Sequence, residues 1–221
     1  MSDKQAVLIL VHGAWHTPEA WNKVSTLLES QGYTCVKPAL PSCNGDNKVS
    51  FVDDVNAVRD AITAVTTTGR DVILIGHSHG GQVSSSAIKG LAKPKESSSP
   101  PTSGHVIGFI LLASGFTTTG MTLLASMGGV PPPIWSLNAS TGFVDLVAEP
   151  RELFYHDLPV AEGEYWVSRL APQSMRAFTE GGEVTYAGWK DVPTWYVMTK
   201  DDKALPFHFQ EILAGMGKSG G

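Results

Sequence analysis

Apolar and polar positions along the first ninety residues predict three buried strands, each followed by a helix. Runs of apolar and β-branched residues at 6–11, 33–36 and 72–75 are typical of strands covered on both faces, as in a parallel sheet. Apolar residues recur at helical spacing over 21–28 and 52–65, and a third helix is predicted at 82–91. This β-α-β-α-β-α order predicts an α/β fold with a doubly wound, mostly parallel sheet.

The second half of the chain departs from this regular order. Residues 106–113 and 193–199 predict two further core strands, whereas 117–185 shows weak strand patterning, a triple proline and many aromatic residues. We therefore expect a core formed by 1–116 and 186–221, with 117–185 as a mainly helical cap insert over the sheet. The Ser- and Pro-rich segment 93–104 is predicted to be an exposed loop.

Composition narrows the possible partners. The 221 residues are 42% hydrophobic and 17% charged, which is ordinary for a globular domain, and the net charge is −5. No block of Lys and Arg occurs, so nucleic acid and anionic membranes are not expected partners. Two cysteines, Cys35 and Cys43, suit a reducing compartment, and the run at 6–11 is too short for a signal peptide or membrane span. We expect a soluble cytoplasmic protein.

The segment Gly76-His77-Ser78-His79-Gly80 has the pattern of a nucleophile elbow. It follows the predicted strand at 72–75, and small residues two before and two after the serine allow a tight strand-to-helix turn. Such a turn lifts the Ser78 hydroxyl above the sheet and directs the His79 N–H toward a developing oxyanion. An incidental serine in a glycine-rich turn is the alternative interpretation.

The loop after the first strand, His12-Gly13-Ala14-Trp15-His16, is the candidate for the second oxyanion donor. Gly13 permits close approach of the backbone, so the Ala14 N–H can face the site. Gly13 and His16 are candidate substrate-binding residues because this loop and the elbow meet at the same edge of the sheet. A plain strand-to-helix turn is the alternative.

These two segments, together with Asp202-Lys203-Ala204-Leu205-Pro206, resemble the α/β-hydrolase superfamily, in the branch of plant methyl esterases, hydroxynitrile lyases and related fungal hydrolases. The segment from Leu153 to Pro159 (LFYHDLP) is similar to the fungal members. The resemblance implies that Ser78 is the nucleophile, that Ala14 and His79 give the oxyanion N–H groups, and that Asp202 is the catalytic acid. Spacing alone leaves Asp201 and Asp202 equivalent.

The last strand, the last helix and the usual histidine of the family pattern are expected to be missing from this chain. The superfamily orders its triad as serine, acid, histidine, but the last histidine, His208, lies only six residues after Asp202. We expect that the chain is shortened relative to the family, that another histidine takes the base role, or that triad chemistry has been lost. The candidate substitutes are His16, His156, His79 and His77, of which His77 is expected to lie under the turn.

Aromatic residues of the insert, among them Trp135 and Phe154, are candidates for an apolar substrate pocket, or for the core of the insert itself. Four histidines at 12, 16, 77 and 79 suggest a metal cluster at first sight, but the elbow already accounts for this region. We expect no metal and no cofactor.

Two functions remain open. The first is a serine hydrolase of a small ester or lactone, with the resemblance also admitting a lyase or cyclase in fungal secondary metabolism. The second is a ligand-binding homologue that keeps the pocket and not the turnover.

Overall fold

A five-stranded parallel sheet forms the centre of the fold. The computed structural model describes residues 5–94 and 103–219. The strand order is β2-β1-β3-β4-β8, and every neighbouring pair is parallel. The strands are β1 (Val7–Val11), β2 (Thr34–Val36), β3 (Val72–His77), β4 (Val106–Leu112) and β8 (Thr194–Val197). This architecture confirms the predicted doubly wound sheet.

The first strand shows why both faces of the sheet are apolar. Leu8 and Leu10 pack on one face with Trp21, whereas Ile9 and Val11 belong to the large core cluster on the other face. All five residues of β1 are buried. Because successive side chains of a strand point to opposite faces, an unbroken apolar run is what a sheet covered on both sides requires.

The three helices that follow β1, β2 and β3 begin close to their predicted positions. They are α1 (Asn22–Ser30), α2 (Phe51–Thr66) and α3 (His79–Ala87). At the start of α2, the Ser50 N–H donates to the Asp53 carboxylate over 2.8 Å, as the capping pattern predicts. The later α8 (Phe207–Ser219) follows β8. Within the described ranges, no helix is long and apolar enough to cross a membrane.

The chain between β4 and β8 contains helices and a second, small sheet. The helices are α4 (Leu123–Ser126), α5 (Pro150–Phe154), α6 (Val160–Val167) and α7 (Arg176–Thr179). The antiparallel strands, in the order given, are β5 (Trp135–Asn138), β6 (Phe143–Leu146) and β7 (Gln173–Ser174). The sequence predicts a mainly helical insert, and the small sheet corrects that prediction. Strands of two to four residues are too short to show a readable alternation of apolar and polar positions. Of the predicted loop at 93–104, residues 95–102 lie outside the described residues.

Candidate active site

Ser78 lies on a strained turn between β3 and α3. Its backbone has φ 52° and ψ −125°, a conformation that few residues other than glycine adopt. The flanking glycines are required sterically: a Cβ on Gly80 would lie 2.2 Å from the His12 carbonyl oxygen, and one on Gly76 would lie 2.6 Å from the Gly81 Cα. The elbow geometry predicted from the sequence is therefore present.

One large cavity, of about 1370 Å³, brings the predicted site residues together. Its lining combines the first loop, the elbow, the loop after β8 and the insert. The predicted residues on this lining are Gly13, Ala14, His16, Ser78, His79, Trp135, Phe154 and Asp202. The cavity exceeds the roughly 300–1,000 Å³ of ordinary ligand pockets, so it has room for bulky ligands.

Two backbone N–H groups beside Ser78 are available to a substrate oxygen. The His79 N–H is the first of α3, a position without an acceptor inside the helix. In the ranges that the structure describes, no carbonyl accepts from the Ala14 N–H either. Gly13 allows the two loops to approach, since a Cβ there would lie 3.2 Å from the Ser78 Cβ. That both groups converge on one point near the Ser78 Oγ stays a prediction.

The His79 side chain anchors the elbow to α2. Its Nε2–H donates to Oδ2 of Asp54 over 3.1 Å, and both side chains are almost fully buried. The same carboxylate accepts from the Ser42 N–H at 2.9 Å and from the Ser42 hydroxyl at 2.6 Å. Phe51 and Phe178 contact the imidazole ring edge-on or tilted. Because its Nε2 is bonded to Asp54, this ring nitrogen is not available to take a proton from Ser78.

This buried polar network continues into the insert. Gln173, on β7, donates to the Ser42 hydroxyl over 2.9 Å and accepts from the Cys43 thiol over 3.1 Å. Burial, chiefly, raises the pKa of Cys43 to about 12, so its thiol stays protonated and can donate. The network therefore joins the elbow, α2 and the small sheet.

Asp54 is not among the residues predicted from the sequence, although its position in α2 indicates burial. Asp54 lies four residues before Val58 and eight before Ile62, so it lies on the apolar face of α2. A carboxylate on the buried face of a helix needs donors from elsewhere in the fold. Read alone, Asp53 and Asp54 look like ordinary acids of a first helical turn.

His16 is held by two hydrogen bonds. Its Nδ1 lies 2.7 Å from the Ala14 carbonyl oxygen, and its Nε2 lies 2.9 Å from the Tyr155 hydroxyl. Burial lowers the pKa of His16 below its ordinary value. Because both ring nitrogens are already paired, His16 is not free to take a proton from Ser78.

His77 lies at the cavity and not under the turn, so that expectation was wrong. A Cβ on Gly13 would lie 3.0 Å from the His77 Nδ1, which shows that the ring packs against the first loop. Burial is the main cause that lowers the pKa of His77 to about 4, and the nearby His16 lowers it further. The His77 imidazole, which precedes Ser78 in the chain, is therefore neutral near pH 7.

Asp202 is fixed by its own loop. Its Oδ1 accepts from the N–H groups of Ala204 at 2.9 Å and Leu205 at 2.8 Å, and its Oδ2 accepts from the Thr199 hydroxyl at 2.8 Å. Asp201 also lines the cavity but is exposed. These contacts favour Asp202 as the ordered carboxylate, a choice that spacing alone left open.

Among the residues described, no histidine nitrogen is hydrogen-bonded to both Ser78 and Asp202. His156 lines the cavity, and its Nδ1 is buried without a partner. His208 is exposed and stacks on Phe209.

The two aromatic candidates of the insert occupy the cavity wall in different ways. Trp135 is 6% exposed and belongs to a core cluster that joins the insert to Ala14 and Trp15 of the first loop, while also lining the cavity. Phe154 contacts the rings of Trp15 and His16, with centroids 6.1 and 5.2 Å apart. Both residues line the cavity, and Trp135 also contributes to a core cluster; that either of them binds substrate stays a prediction. The described part of the chain contains no group of three or more His, Cys, Asp or Glu placed to hold a metal ion.

The elbow, the parallel sheet and the insert above it define an α/β-hydrolase. A sequence profile of the alpha/beta hydrolase family matches residues 8–220, and the chain belongs to this family.

Individual relatives agree with the resemblance seen in the sequence. The alpha/beta hydrolase nvfD of Aspergillus novofumigatus is 27% identical over 213 residues, covering 95% of this chain and 83% of the relative. Methylesterase 1 of Arabidopsis thaliana is 24% identical over 210 residues, covering 90% and 79%. The crystal structure of polyneuridine aldehyde esterase superposes with a TM-score of 0.75 at 17% identity, covering 96% of this chain and 87% of that one. These matches confirm the expected branch and fold.

Proposed function

We propose that this chain is a serine hydrolase of a carboxylic ester or lactone, with Ser78 as the nucleophile. The observation that carries the proposal is the strained backbone of Ser78, φ 52°, at the wall of the large cavity. Strain of this kind costs about 1–3 kcal/mol and persists where the surrounding structure requires it, commonly at active sites. Esterase relatives support the ester class of substrate. The resemblance to fungal hydrolases supports a role in fungal secondary metabolism.

In the proposed reaction, the Ser78 Oγ adds to the carbonyl carbon while its proton passes to solvent water, because no described histidine is hydrogen-bonded to Ser78. The carbonyl oxygen becomes an oxyanion, which the N–H groups of Ala14 and His79 bind. Collapse of this intermediate expels the protonated alcohol and leaves an acyl-serine. Water then releases the acid and restores the serine. By the family resemblance, Asp202 is the proposed catalytic acid.

A fluorophosphonate probe tests this proposal, because its phosphorus is attacked by an activated serine oxygen with loss of fluoride. We expect labelling of the wild-type chain at Ser78, mapped by peptide mass, and none in Ser78→Ala. The control is Ser84→Ala, which removes a buried α3 hydroxyl that has no hydrogen-bond partner among the described residues. Labelling of Ser78→Ala equal to wild type would exclude Ser78 as the nucleophile.

The second candidate function is ligand binding without turnover. It is favoured by the Asp202 carboxylate, whose two oxygens are both engaged by residues of its own loop. The same labelling separates the two functions: a folded chain that binds an ester in the cavity and never reacts with the probe is a binding protein.

A further inference from the structure

The first loop is held in place by the insert. The Trp15 indole Nε1–H donates to the Val144 carbonyl over 3.0 Å, and the Ala171 N–H donates to the Trp15 carbonyl over 2.7 Å. The third contact joins Tyr155, which directly follows α5, to His16 over 2.9 Å. All three contacts reach residues 15 and 16, directly after the candidate oxyanion residue.

The protonation of the Tyr155–His16 pair follows from its partners. A carbonyl oxygen only accepts, so the His16 Nδ1 must carry the proton that it shares with the Ala14 oxygen. Burial keeps the pKa of His16 low, so the neutral ring presents a lone pair at Nε2. Burial also raises the pKa of Tyr155 to about 12, so the hydroxyl keeps its proton and donates it to Nε2.

This chain of hydrogen bonds acts on a strained piece of backbone. Trp15 has φ 60°, which is uncommon for a residue with a bulky side chain. His16 holds the Ala14 carbonyl on one side of Trp15, and Ala171 holds the Trp15 carbonyl on the other. The His16 N–H also donates to the Gly13 carbonyl over 3.4 Å, and this carbonyl shares a peptide group with the Ala14 N–H. The direction of the Ala14 N–H thus depends on the placement of His16, which the insert contacts.

We propose that Tyr155 is a positioning residue, which acts through His16 to fix the direction of the Ala14 N–H. The proposal rests on the proposed function, in which that N–H binds the oxyanion. It makes the insert part of the oxyanion site as well as a wall of the cavity. A substrate that displaces Tyr155 would change the stabilisation of the oxyanion without touching it.

The first experiment determines the His16 tautomer by two-bond ¹H–¹⁵N correlation NMR on the ¹⁵N-labelled chain, with resonances assigned through His16→Gln. We expect a neutral ring protonated at Nδ1 near neutral pH. In Tyr155→Phe, the Nε2 resonance should move toward the value of an imidazole nitrogen without a donor. A ring protonated at Nε2, or an Nε2 shift that Tyr155→Phe leaves unchanged, would overturn the pair.

The second experiment compares two ligands of the same size by calorimetry. Phenylboronic acid forms a tetrahedral adduct with a serine oxygen, whereas benzamide stays planar. Since one neutral hydrogen bond is involved, we expect Tyr155→Phe to weaken phenylboronic acid roughly 3- to 10-fold and benzamide less than about 2-fold. The control, Tyr186→Phe, removes a tyrosine hydrogen bond to Asp191 away from the first loop and should change neither.

The outcomes separate this proposal from the proposed function. Equal weakening of both ligands would show that Tyr155 only lines the cavity, and would overturn its positioning role. Phenylboronic acid that binds Ser78→Ala as tightly as wild type, or does not bind wild type, contradicts the proposed nucleophile. Even then, the NMR result decides whether Tyr155 donates to His16.

Discussion

Replacing Asp54 by leucine should strongly destabilise the protein. The side chain is fully buried and accepts three hydrogen bonds, from the Ser42 N–H, the Ser42 hydroxyl and the His79 ring. Leucine is close to aspartate in length but accepts none of them. All three donors would then stay buried without partners.

The size of the effect follows from these donors. A buried donor left unpaired costs roughly 1–3 kcal/mol, and Asp54→Leu leaves three such donors. Loss of the buried carboxylate offsets part of the total, so we expect Asp54→Leu to lower the free energy of unfolding by about 4 kcal/mol. Asp54→Asn keeps one acceptor oxygen, so it should lose about 1–2 kcal/mol.

Urea denaturation followed by tryptophan fluorescence measures this difference at pH 7. Asp60→Leu is the matched control, because Asp60 is exposed on the same helix. It should change stability by less than about 0.5 kcal/mol. If Asp54→Leu does not fold, Asp54→Asn still measures the ranking. An Asp54→Leu chain as stable as wild type would refute the anchoring role of this carboxylate.

Three further predictions concern the elbow, the first loop and turnover. Gly80→Ala should destabilise the chain by about 3 kcal/mol in urea, because the new Cβ would lie 2.2 Å from the His12 oxygen. Burial lowers the pKa of His12 from 6.5 to about 4, so the contribution of His12 to stability is fully present above pH 6.5 and falls by roughly 3 kcal/mol as pH falls toward 4, since the unfolded chain takes up the proton first. The 221-residue chain should hydrolyse p-nitrophenyl acetate slowly, because no described histidine bonds both Ser78 and Asp202. Where triad members are absent, the remaining acceleration over the reaction in water is about 10³–10⁴-fold.

Each of these has its own control. Gly215→Ala adds a Cβ that meets no described atom within 4 Å beyond the backbone of its own helix and should not destabilise, so an equal loss in both glycine variants would exclude the steric argument. His12→Gln should make the fall in stability between pH 6.5 and 4 smaller by about the amount that His12 contributes, with the remaining fall coming from His16 and His77, and an unchanged slope would assign the effect elsewhere. Rapid turnover that Ser78→Ala abolishes would show that a base is present, with His156 the next residue to replace.

The local sequence pattern was sufficient to predict the parallel sheet and the elbow. The strands β1, β3 and β4 are unbroken apolar runs, and burial on both faces leaves few other structures for them. Ser78 was identifiable because a tight turn needs small residues at fixed distances, and Gly76 and Gly80 supply them. Both inferences depend on residues that are neighbours in the chain.

Tertiary structure decided what surrounds the elbow. The Tyr155–His16 bond joins residues 139 apart, and the Asp54–His79 bond joins residues 25 apart, so no local pattern records either. The small sheet of the insert depends on pairing between Phe143 and Ser174, whose strands are too short to show a period. Apolar periodicity reports which face of an element is buried, but a buried polar group is specified by its partner, and only the folded chain brings that partner close.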